Sequence, residues 1–240
     1  MKSRLPSIRK MSKSLYSFEN GLKDSIFYWL NYFCNVSKSD ILLESSIRFP
    51  LIEYLERKFN AKVDLEVSHP KFKNKLIDFK YVLNDIENQS GYIELKFLRK
   101  DTASANARQR IFNDIIRLAA LDENLVNYFI LCGRRDYFNG RFRRIVPASR
   151  QDRILVSKRN DSEKTPLGLY SEWFPFEYSM TKSIDLHSDL NEKYIEEFKG
   201  HYKEMREMAI NLIEIKLVVE TLECHKARHV VYIWRIRKIS

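Results

Sequence analysis

Apolar positions recur at helical spacing over residues 15–36 and again over about 40–59, with Ser39 or Asp40 placed to cap the second helix. Pro50 falls inside that second region, so the helix either kinks there or starts afresh with Pro50 in its first turn. The period then changes to two. Val63, Leu65 and Val67 alternate with Asp64 and Glu66, a strand pattern. A turn over 68–74 with Pro70, a strand over 76–83, a polar turn over 84–91 and a strand over 92–98 complete an antiparallel meander. A helix over 104–121 follows, with Ile111, Ile115 and Leu118 on one stripe and Phe112, Ile116 and Ala119 beside it. Residues 128–132 read as a short buried strand ended by Gly133. Beyond it, 134–182 reads as long loops, 189–212 as a helix (Tyr194, Phe198, Met205, Met208 and Leu212 near one face), and 213–222 and 229–237 as strands.

The order α-β-β-β-α-β predicts an α/β fold: a mixed central sheet flanked by helices, with a C-terminal helix and strands added to it. No internal repeat or linker divides the chain, so residues 1–240 read as one domain. Within it, 1–39 is an N-terminal basic arm (1–13) and helix, 40–133 the core, and 134–240 an elaboration. Hydrophobic residues make up 44% of the 240, enough to bury a core. A net charge of +10 favours polyanions, with nucleic acid ahead of an acidic membrane surface. Cys34, Cys132 and Cys224 are far apart and odd in number, which fits neither a disulfide framework nor a zinc site and favours a reducing cytoplasm. The run Ile26–Leu30 is too short to span a bilayer, and no signal peptide is visible.

Glu94 and Lys96 stand two residues apart on the third strand, so both side chains share one face, while Ile93, Leu95 and Phe97 point the other way. Asp78 sits on the neighbouring strand and meets Glu94 if the strands pair about their connecting turn. Two carboxylates and an ammonium at one point suit phosphodiester hydrolysis. Carboxylates hold Mg²⁺ through hard oxygens, the metal activates water and neutralises charge on the phosphate, and the lysine orients the attacking water.

The segment Ile77-Asp78, then Tyr92-Ile93-Glu94-Leu95-Lys96-Phe97 with a helix and a strand after it, resembles the restriction-endonuclease-like PD-(D/E)XK nucleases over about residues 40–133. The resemblance implies Asp78 and Glu94 as metal ligands, Lys96 as the catalytic lysine, and Glu44 of Leu43-Glu44-Ser45-Ser46-Ile47-Arg48 as a further acidic residue from the first core helix. Ile77 stands where the motif has proline. The implied cofactor is Mg²⁺ or Mn²⁺. The implied activity is endonucleolytic cleavage of DNA in restriction, anti-phage defence or mobile-element processing. A homodimer or a protein partner in a multi-subunit system is compatible with it. The residues themselves do not separate DNA from RNA.

Two other triplets fit the same short pattern: Asp78-Phe79-Lys80 with Asp64 upstream, and Glu214-Ile215-Lys216. Only Glu94-Leu95-Lys96 has an Asp-bearing strand before it and a helix then a strand after it. The plain alternative is a solvated Glu94–Lys96 pair on an outer strand face. Arg134, Arg135, Arg141, Arg143, Arg144, Arg150 and Arg153 interleave with Tyr137, Phe138 and Phe142, a composition suited to phosphate contact with base stacking. Arg141, Arg143 and Arg144 are the nucleic-acid-binding candidates. Arg108, Arg110 and Arg117 are placed to reach phosphates from the helix, although Arg110 and Asp114 also make an i,i+4 pair. His225 and His229 share a face only on a helix, and the stretch reads as a turn entering a strand. Nucleotide-binding glycine loops are absent.

Overall fold

The computed structural model describes residues 8–38, 41–84, 89–98, 105–134, 182–185, 212–221 and 229–239. The meander forms as its alternation predicts: β1 (Lys62–Ser68), β2 (Leu76–Val82) and β3 (Ser90–Leu98) pair antiparallel in chain order. Helix α3 (Ala105–Ala119) then returns the chain so that β4 (Asn127–Arg134) runs parallel to β3. A parallel neighbour needs such a crossover, and a helix supplies it. The chain later adds β5 (Lys182–Asp185), β6 (Leu212–Glu220) and β7 (His229–Ile239), giving one seven-stranded mixed sheet in the order β1-β2-β3-β4-β7-β6-β5. The class is therefore α/β.

Period two sorts the strand residues onto two faces. Tyr92, Leu98, Phe129, Leu131, Tyr232 and Trp234 pack beneath Ile111, Ile115, Ile116 and Leu118 of α3. Ile93, Leu95, Phe97, Tyr128, Ile130, Val231 and Ile233 pack on the opposite face. That face is covered by α1 (Ile8–Asn35) and α2 (Glu44–Phe59), through Phe18, Leu22, Ile26 and Leu30 of α1 and Ile47, Leu51 and Leu55 of α2. Both stripes recur every four residues, the signature of a helix with one buried side.

The structure differs from the sequence reading most clearly at four places. Residues 8–13, read as a loose arm, belong to α1. Helix α2 starts at Glu44, so Leu43 rather than Ser39 or Asp40 occupies the cap position; its backbone N–H donates to Ser46 Oγ at 3.3 Å. Pro50 lies buried in the middle of α2, which runs on as a single helix to Phe59 instead of restarting. The last strand of the core passes through Gly133 to Arg134. Gly133 adopts φ +150°, and a Cβ there would meet Leu98 O at 2.6 Å, so its role is close approach of β4 to β3 rather than termination. The helix expected over 189–212 lies outside the described residues except at Leu212, which opens β6 instead of closing a helix, and the arginine-rich stretch from Arg135 to Arg153 lies outside them too.

Candidate active site

The β2–β3 ladder stops at Phe79 and Ile93. Beyond that point the facing main-chain N–H groups have no strand carbonyl to bond, and three carboxylates take that place. Asp78 Oδ2 accepts from Leu95 N–H at 2.8 Å, Glu94 Oε2 from Asp78 N–H at 3.3 Å, and Glu44 Oε2 from Phe97 N–H at 3.2 Å. Each carboxylate thus has one oxygen tied to backbone and a second turned towards charged side chains. The irregularity is shared by β1, where Glu66 has φ +49° between the paired residues Leu65 and Val67.

Lys96 lies at the centre. Its Nζ donates to Glu94 Oε1 and to Leu95 O, both at 3.2 Å, and lies 3.3 Å from Asp114 Oδ2 and 3.7 Å from Glu44 Oε1. Arg117 pairs with Asp114 and reaches Glu94 Oε1 at 3.9 Å. On the α2 side, Arg48 bridges Asp78 Oδ1 at 2.5 Å and Glu66 Oε1 at 2.7 Å. A pocket of about 300 Å³ opens between Asn74 and Lys75 of the β1–β2 turn and Lys96, Glu94, Asp114 and Arg117.

The sequence candidates Asp78, Glu94, Lys96 and Glu44 are thus brought together. Glu94 is only 6% exposed, which overturns the alternative of a solvated surface pair. The rival triplets are not assembled in this way. Asp64 sits across from Lys80 and pairs with Lys62 at 3.7 Å. Glu214 makes a two-pronged cross-strand bond to Arg237, at 2.7 and 3.1 Å, while Lys216 is exposed. Arg141, Arg143, Arg144 and His225 lie outside the described residues; His229 is buried and stacks on Phe97. Cys132 is a free, buried thiol whose pKa is pushed up by burial.

Arg48, Glu66 and Asp114 were not singled out as site residues in the sequence, and Arg117 was read as a phosphate contact. Signals in the sequence point to two of them. Arg48 follows Glu44 by one helical turn and so shares its face. Asp114 interrupts the apolar stripe of α3, three residues after Ile111 and four before Leu118, and a carboxylate in a buried stripe demands a partner.

Burial and the Asp114 charge push the Glu94 carboxyl up to about 8, against the pull of Lys96. Burial raises Glu44 as well. Burial pulls the Lys96 ammonium down, but the carboxylates of Asp114, Glu94, Glu44 and Asp78 outweigh it and hold Lys96 above its ordinary range. Glu44, Glu66, Asp78, Glu94 and Asp114 bring five formal negative charges against three from Arg48, Lys96 and Arg117. The hard carboxylate oxygens fit a divalent cation in donor chemistry, and with Glu94 ionised the set carries two negative charges in excess. Among the described residues, however, no three of these side chains converge as a ready-made cage; Arg48 and Lys96 stand against the carboxylates instead. Asp78 and Glu94 are the residues that would hold the ion, once Arg48 yields Asp78 Oδ1.

A raised carboxyl has a testable consequence. With the Glu94 carboxyl raised by burial and by Asp114, the folded protein should hold a proton on Glu94, between the ordinary carboxylate range and about pH 8, that the unfolded chain has released. Stability therefore falls as pH rises through that window, by up to about 1.4 kcal/mol per pH unit. Urea unfolding of the metal-free protein at pH 5.5, 6.5 and 7.5 should show this decline, and Glu94→Gln should flatten it. A wild-type decline that Glu94→Gln leaves unchanged would place the proton elsewhere.

Compared with known proteins, the chain matches no family model, no curated protein and no solved structure. Among the described residues, no helix is long and apolar enough to cross a membrane.

Proposed function

We propose that this chain is a Mg²⁺- or Mn²⁺-dependent endonuclease of restriction-endonuclease-like architecture, acting on DNA in the cytoplasm, in restriction, phage defence or mobile-element processing. The observation that carries this reading is the convergence of Asp78, Glu94, Glu44 and Lys96 at the point where β2 and β3 cease to pair. The order α2-β1-β2-β3-α3-β4 around that point supports it. A divalent cation bound there supplies Lewis-acid stabilisation of the charge that builds on the phosphate. Asp78 and Glu94 provide oxygens whose orientation is set by backbone N–H donors. The Lys96 ammonium, which lines the pocket, orients the attacking water and adds positive charge beside the scissile group. A supercoiled plasmid should be nicked or linearised with Mg²⁺ or Mn²⁺ and stay intact in EDTA. An intact plasmid in every metal, together with an intact RNA substrate, would sink the enzymatic reading.

A second reading has its own observation. The carboxylates serve as partners for backbone N–H groups, and Arg48 occupies Asp78. A nucleic-acid-binding or scaffold subunit that keeps the fold without cleaving would retain such contacts for architecture alone.

Either reading draws on the positive surplus of the chain. Binding to duplex DNA should weaken steeply with salt, with a log–log slope of about −0.9 per phosphate neutralised. Replacing Arg141, Arg143 and Arg144 together should make the slope shallower by up to about one unit per arginine that touches phosphate, equally for all sequences. An unchanged slope in the triple variant, at unchanged folding, would remove these arginines from the interface.

A further inference from the structure

We propose that Asp114 of α3 is a positioning residue for Lys96, fixing the ammonium in the lining of the pocket. This rests on the nuclease reading for its catalytic meaning, and on geometry alone for the positioning itself.

A lysine head on a four-carbon stem has many rotamers, and a strand fixes only its base. Two of the groups around Lys96 Nζ, Glu94 Oε1 and Leu95 O, belong to its own strand. Those contacts alone would let the head fold back along β3. Asp114 Oδ2, 3.3 Å away, comes from the helix that packs over this face, closer than Glu44 Oε1 at 3.7 Å. Asp114 is 4% exposed, and its Oδ2 accepts no hydrogen bond, so the ion pair with Lys96 is what that oxygen has. Its other oxygen is held by Arg117, which also approaches Glu94. Around this ring basic and acidic side chains alternate: Lys96, Asp114, Arg117, Glu94. A strand pair two residues apart and a helix pair three residues apart are thereby locked face to face, and the ammonium is held from both layers of the fold. Arg117 keeps the pair of carboxylates from being an uncompensated buried charge.

The test combines kinetics with a signal that does not need cleavage. In Asp114→Asn, kcat should fall about 10²-fold with KM nearly unchanged, the cost expected for a misplaced catalytic group. Asp114→Glu should recover part of the loss. In wild-type protein the ¹⁵Nζ resonance of Lys96 should exchange with water far more slowly than that of the exposed Lys216, and Asp114→Asn should bring the two together. A variant that keeps both kcat and the slow Lys96 resonance overturns the proposal. Should Asp114→Asn fail to fold, the wild-type resonance decides: exchange as fast as Lys216 overturns it. A wild-type protein that cuts nothing with any divalent ion defeats the nuclease reading instead, while the resonance still settles where Asp114 holds Lys96.

Discussion

Alanine in place of Asp78, Glu94 or Lys96 should lower cleavage on the order of 10³-fold or more, the loss expected when a preorganised electrostatic group is removed from a unit that acts together. The Asp78 and Glu94 variants lose an oxygen ligand, and each also leaves a backbone N–H, of Leu95 or of Asp78, without its acceptor. Asparagine and glutamine at the same positions keep an oxygen for that N–H, so they separate loss of charge from loss of local structure. Because the three residues serve one centre, a double variant should be scarcely worse than a single one. Glu44→Gln should reduce activity without abolishing it, since Glu44 is 3.7 Å from Lys96 and its amide oxygen can still accept from Phe97 N–H. The measurement is initial nicking rate at equal folded concentration, with folding checked by circular dichroism. Near-normal cleavage by Asp78→Asn or Glu94→Gln would exclude that carboxylate as a metal ligand.

Glu19→Ala should destabilise the fold by about 3–5 kcal/mol. Glu19 is a buried carboxylate on α1 that accepts from Tyr128 Oη of β4 at 3.0 Å and pairs with Arg235 of β7. Removing it leaves a largely buried guanidinium and a fully buried phenol without their partner. Truncating one member of such a pair costs more than the pair contributes, because the other charge remains. For a chain of this size the melting temperature should drop by roughly 10 °C. Glu19→Gln should lose less, since its amide oxygen still accepts from both groups. A loss below about 1 kcal/mol for Glu19→Ala would mean that α1 is not docked through this contact.

The sequence by itself determined the elements of the first half of the chain and the residues of the site that stand close together along it. A period of two over 63–67 and 92–98 and a stripe at Ile111, Ile115 and Leu118 are local properties, set by which way each side chain must point to bury apolar surface. The same rule put Glu94 and Lys96 on one face, and a short turn between strands brought Asp78 beside them. What lay beyond that was decided by tertiary structure, because it depends on pairs far apart in the chain. No local signal says that β7 enters between β4 and β6, or that Glu19 finds Arg235, 216 residues later. Nor does spacing reveal that β2 and β3 part at Asp78, leaving backbone donors for Glu44, Asp78 and Glu94 to satisfy. Asp114 reads along the chain as half of an ion pair with a neighbouring arginine; only the packing of α3 over the sheet turns it towards Lys96. A buried charge takes its partner from whatever the fold places within reach, and that reach is a property of the packed layers.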